Sequence, residues 1–270
     1  MYVKKFRGLF PLLSLLCHLH AEGPAISVIE GRWGNVKLEE IQKVLESTLH
    51  VFIPHSPNLK NKKISVYKDS DAPLVHYQLS ENGEYRIHLT SHDRLWCQYV
   101  FQFAHELGHI MCNTKRGDAS NDWFEEMICE AASMFALKEL SHKWSHSPPY
   151  PNWASYAEEF QNYRTRRINQ SSCPENFQID SWWKQNQGLL SQNSHLRKQN
   201  LWMAIQILPI IDKHPKVAWS ACHWLNQSKT KQPISFHEYL DHWKSACTEL
   251  QQKKFVEGIQ RLFGTVTLNQ

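Results

Sequence analysis

Between positions 35 and 50 the apolar residues Val36, Leu38, Ile41, Val44, Leu45 and Leu49 recur at helical spacing, with acids and lysine between them. That pattern predicts an amphipathic helix with Asn35 as its N-cap. Past the turn residues around Pro54 and Pro57 the chain turns β-prone, and short strands are expected at 63–67, 74–79 and 85–90. The last two flank Ser80-Glu81-Asn82-Gly83-Glu84, and Asn-Gly between alternating segments marks a hairpin.

The strand ending at Thr90 leads directly into a helix over 95–111, with Thr90 and Asp93 at capping-box spacing. Leu95, Trp96, Tyr99, Val100, Phe103, Ala104, Leu107, Ile110 and Met111 make it apolar nearly all round, so it belongs in the core. A polar loop containing Gly117 follows. A second buried helix then starts at Trp123, with Asp122 as N-cap, and carries Phe124, Met127, Ile128, Ala131, Ala132, Met134, Phe135 and Leu140. Ser147-Pro148-Pro149-Tyr150-Pro151 breaks the chain, and four further helices are expected around 153–166, 194–211, 217–225 and 236–263. The expected class is α+β: a small N-terminal antiparallel sheet with buried helices over 22–146, then a mainly helical region over 147–270.

Composition narrows the function. With 41% hydrophobic and 21% charged residues in 270, the chain can bury a substantial core, and disorder is excluded. The net charge of +4 and the short, scattered basic clusters give no phosphate-tracking surface, so nucleic acid is not an expected partner. No run of eighteen apolar residues occurs, so no membrane span is expected. Lys4, Lys5 and Arg7 precede an apolar stretch from Leu9 to Cys17 and the small residue Ala21, the build of a signal peptide over 1–21. That segment predicts a secreted or periplasmic protein. Six cysteines remain beyond it, enough for up to three disulfides, and no Cys-x-x-Cys pair occurs.

The chemistry sits in the first buried helix as His105-Glu106-Leu107-Gly108-His109. Residues four apart lie one turn above each other, so both imidazoles can reach one metal ion. Glu106 is offset by about 100° and can take a proton from a water activated by that metal. The string alone arises by chance in roughly one such sequence in twenty, and its place on a buried helix after a strand adds weight. A zinc ion with a catalytic role needs a third protein ligand. Glu126 and Glu130, four apart on an otherwise apolar helix, each qualify, and the one not on the metal can accept from the far nitrogen of a histidine. Glu125, in the first turn, suits the helix N-terminus.

These residues resemble the gluzincin metallopeptidases, in which HExxH is followed by a glutamate ligand on the next helix. Trp123-Phe124-Glu125-Glu126 is similar to the Trp-Leu-Asn-Glu stretch of M1-type aminopeptidases, and the Glu126, Glu130 pair to the acids of thermolysin-like enzymes. The resemblance covers about residues 85–140. It implies a zincin-like core, a Zn2+ cofactor held by His105, His109 and Glu126, Glu106 as general base, and a peptide or protein substrate. No Gly-Ala-Met-Glu-Asn motif occurs, so an aminopeptidase preference is not implied. The other expectation is a non-catalytic envelope module in which the metal only braces two helices. Tyr150, Tyr156, Tyr163, His142 and His146 are the candidates for stabilising an oxyanion.

Overall fold

A computed structural model describes residues 25–69, 71–113, 119–227 and 232–265. The signal-like segment, Cys17 and Gly117 lie outside them. The elements run β1 (Ala25–Val28), α1 (Leu38–Phe52), β2 (Lys63–Lys68), β3 (Leu74–Val75), β4 (Tyr85–Leu89), α2 (Trp96–Met111) and α3 (Asp122–Trp144). The rest is helical: α4 (Ala157–Gln170), α5 (Ile179–Gln192), α6 (Arg197–Lys213), α7 (Pro215–Cys222), α8 (Phe236–Ala246) and α9 (Leu250–Leu262). The class is α+β, with one small sheet in the N-terminal part. Among the described residues no helix is long and apolar enough to cross a membrane.

The expected antiparallel sheet needs correction, because the strand order is β1-β2-β4-β3 and only β3–β4 is antiparallel. β1, too short to show a period, pairs parallel with β2 after the α1 crossover. The chain then passes to the sheet edge as β3, and the hairpin turn at Gly83 (φ +75°) inserts β4 beside β2, again parallel. β4 keeps its period-two pattern, with Tyr85, Ile87 and Leu89 buried and Arg86 and His88 on the opposite face.

Two expected caps are replaced by longer-range contacts. α1 is capped two residues later than expected, at Lys37, whose N–H donates to Glu40 Oε2 at 3.1 Å. The Asn35 N–H instead donates to Asp93 Oδ1 at 2.6 Å. Gly34 (φ +88°) permits this, since a Cβ there would lie 2.2 Å from that same oxygen. Thr90 does not cap α2. Gln102 Oε1 accepts from the N–H groups of Thr90 and Ser91 and from the Ser91 hydroxyl, which locks the end of β4 onto α2. At the other end Asn58 Nδ2 donates to the carbonyls of Ile110 and Met111, in the last turn of the helix.

α2 and α3 are the centre of the molecule. They approach so closely that a Cβ on Gly108 would lie 2.9 Å from the α-carbon of Cys129. α3 also packs against α4 and α6, so one hydrophobic core runs from the sheet through both helical layers. Phe124, Phe236, Trp243 and Phe263 form an aromatic knot beneath it. The segment expected as one helix over 236–263 breaks at Cys247, and α9 restarts with a Glu249–Gln252 capping box. α5 was unexpected: it buries only Ile179, Trp183 and Leu190, too sparse a stripe to stand out. All six described cysteines are free thiols, Cys97 for instance facing Tyr156 and Glu159.

Candidate metal centre

The i, i+4 spacing on α2 puts His105 and His109 on one face, their ring centroids 5.3 Å apart. α3 crosses that face and presents Glu126 to both. Glu126 Oε2 lies 3.2 Å from His105 Nε2, and Oε1 lies 3.6 Å from His109 Nε2. The far nitrogens face other carboxylates. His109 Nδ1 donates to Glu125 Oε1 at 2.6 Å, and His105 Nδ1 is 3.7 Å from Glu130 Oε2. Glu125 therefore corrects its expected role at the helix N-terminus: its carboxylate is turned inward, onto a histidine.

Each carboxylate is tied down in turn. Glu125 Oε2 accepts from Asn226 Nδ2, and Asn226 Oδ1 accepts from the Tyr239 hydroxyl at 2.7 Å. Glu130 Oε1 lies 3.5 Å from Arg167, whose guanidinium rests 4.5 Å above the Phe101 ring. His195, from the turn between α5 and α6, brings Nδ1 to 3.4 Å from Glu126 Oε1. Buried acids need such partners, because an unpaired carboxylate is costly in a low-dielectric interior.

The electrostatics follow from this crowding. Burial pushes the Glu126 carboxyl up, but the imidazoles of His105, His195 and His109 hold it well below the usual carboxylate range. Burial lowers His105, yet Glu126, Glu130 and Glu106 outweigh it and raise the imidazole far above its ordinary value. Glu106 is pushed up by burial and pulled back by both histidines, and the Val75 N–H donates to its carboxylate. The edge strand β3 thus fixes the one acid of the motif that no histidine nitrogen engages closely.

The site opens into a cleft of about 950 Å³ walled by β3 on one side and by Tyr163, Arg167 and His195 on the other. A buried group of His105, His109 and Cys129 can hold a metal ion, since one ligand atom from each lies within 4.8 Å of the others. The Cys129 thiol is completely buried and is pushed well above its ordinary value by that burial and by Glu125, Glu126 and Glu106. A bound metal would displace the thiol proton, since a coordinating thiol is deprotonated outright.

Of the five residues expected to reach an oxyanion, Tyr163 alone lines the cleft. Tyr150 bonds Glu39 on the surface, Tyr156 packs on Trp144 and Phe160, and His142 and His146 lie at the exposed end of α3. His195, Arg167 and Asn226 were not expected. They come from segments beyond α3, Asn226 lying 101 residues after Glu125, with no spacing rule to find them. Comparison of the chain with protein-family models, curated proteins and solved structures finds no match.

Proposed function

We propose that the protein is an exported zinc-dependent peptidase of gluzincin type, with His105, His109 and Glu126 as metal ligands. The observation that carries this reading is the convergence of both histidine Nε2 atoms on Glu126, with a carboxylate behind each Nδ1. Two imidazoles and one carboxylate are a ligand set typical of catalytic zinc, and carboxylate partners behind the histidines fix their tautomers. Glu126 is preferred to Cys129 because its oxygens lie 3.2 and 3.6 Å from the two Nε2 atoms and it lines the cleft, which Cys129 does not. Export rests on the sequence pattern of residues 1–21.

A zinc ion in this site supplies Lewis acidity, lowering the pKa of a water and polarising a carbonyl. The chain does the rest. Glu106, held by the Val75 N–H, takes the proton of the attacking water and returns it to the leaving amine. His195, whose imidazole Glu126 keeps readily protonated, stands on the opposite wall as a donor to the developing oxyanion. The cleft of about 950 Å³ leaves room for a peptide segment beside these residues.

A peptide-library digest tests this. Glu106→Gln should retain the metal and lose at least about 10²-fold in turnover, the scale of general-base catalysis. His195→Gln should lower turnover without releasing metal. Equal activity in wild type and Glu106→Gln would refute the mechanism. Cys129 supports the other reading, a metal that only braces α2 and α3: sulfur coordination would close the site, and no hydrolysis would follow.

A further inference from the structure

The geometry points to a second transition-metal site on the outer face of the sheet, formed by the Nε2 atoms of His76 and His88. The pairing register creates it. Leu74 and Val75 oppose His88 and Ile87, and the His76 N–H continues the ladder to the Arg86 carbonyl at 2.9 Å. Val75 and Ile87 point into the core, so His76 and His88 emerge together on the opposite face as diagonal neighbours.

Their Nε2 atoms are 3.2 Å apart, a hydrogen bond in which one ring donates to the other and whose proton a metal would replace. Two imidazoles on one tetrahedral zinc, each at about 2.0–2.1 Å, place their nitrogens about 3.3–3.4 Å apart, so the pair already has chelating separation. His88 is held in the required tautomer: Asp69 Oδ2 sits 3.1 Å from Nδ1 and accepts its proton, leaving the Nε2 lone pair directed at His76. Tyr67 stacks on the His88 ring at 5.2 Å and fixes its plane. The Arg86 guanidinium is on the same face as His76 and His88. Arg86 is the opposing charge and Asp69 the compensating one.

The side chain of His88 is 24% exposed, so water can complete the coordination. Imidazole donors select Zn2+, Cu2+ or Ni2+ over Mg2+ and Ca2+. His76 also lines the HExxH cleft, but none of these residues is a ligand or base of that centre, and the inference does not depend on the peptidase reading. Its consequence does reach the cleft. The site clamps β3, a two-residue edge strand, to β4, and β3 carries the Val75 N–H that meets Glu106.

Isothermal titration of the untagged, metal-stripped full chain with Zn2+ tests the site. His76→Ala/His88→Ala should bind one equivalent fewer than its parent, and Asp69→Asn should weaken that equivalent by about tenfold. The comparison is made in the wild type and again in His105→Ala, so loss of the first centre is counted separately. Amide exchange at Val75 and His76 should slow when Zn2+ is added to His105→Ala, and not in the triple variant. An unchanged stoichiometry in His76→Ala/His88→Ala, in a variant that melts as its parent does, would overturn the proposal.

Discussion

His109 Nδ1 donates to Glu125 at 2.6 Å, and the other oxygen of that carboxylate is held by Asn226, 101 residues along the chain. An ionised carboxylate only accepts, so a ring proton sits on Nδ1 and Nε2 is the nitrogen a metal can take. The helical C-terminal half therefore sets the tautomer of a histidine in the N-terminal half. Partners of this kind are worth about 10- to 100-fold in metal affinity. Glu125→Gln should cost that amount by competition with a chromogenic chelator. Asn226 has φ +58°, so Asn226→Gly is the clean variant, and about a tenfold loss is expected. Wild-type affinity in both would mean that the relay has no effect on the site.

Gly108 lies inside the HExxH motif because α3 leaves no room for a side chain. An added Cβ would lie 2.8 Å from Cys129 Sγ and 2.9 Å from the α-carbon of the same residue, so it would meet backbone as well as side chain. Gly108→Ala gains about 1 kcal/mol of helix propensity. Forcing the helices apart costs up to about 3 kcal/mol, so a net loss of about 1–2 kcal/mol is expected in urea unfolding. Cys129→Gly should not rescue it, since the clash with the α3 backbone remains. A Gly108→Ala protein as stable as wild type would show that the two helices do not pack backbone to backbone.

Asp93 supplies a pH-dependent element at the start of α2. The Asn35 N–H and the His92 side chain stabilise its carboxylate and hold it below the ordinary value. With the folded value depressed, its contribution to stability is present above the unfolded value and disappears as pH falls through the folded one. Wild type should thus exceed Asp93→Asn in urea midpoint at pH 6, and the gap should close as acid protonates Asp93 in the folded state. The group is exposed, so the difference will be small. A gap that widens in acid would reverse the sign and contradict the assignment.

The sequence carried the helices that bury dense apolar stripes. α2 and α3 were legible from Trp96, Phe103, Phe124 and Phe135, and with them His105, Glu106, His109 and the glutamates that α3 brings to face them. The sheet was not, because the parallel pairing of β1 and β4 with β2 depends on contacts beyond the reach of local period. Caps misled for a related reason: Asn35 and Thr90 have the right chemistry, but Asp93 and Gln102 offered them partners from elsewhere. His195 and Asn226 stand in polar turns that look like any other loop. Only the fold brings them to the histidines.

The central claim is a metal held by His105, His109 and Glu126 with one position left open. A crystal structure of the zinc-loaded protein with anomalous data at the zinc edge measures it directly. The account predicts a peak about 2.0–2.2 Å from both Nε2 atoms and one Glu126 oxygen, with a non-protein fourth ligand. A site without a peak, or one closed by Cys129 Sγ, would contradict it.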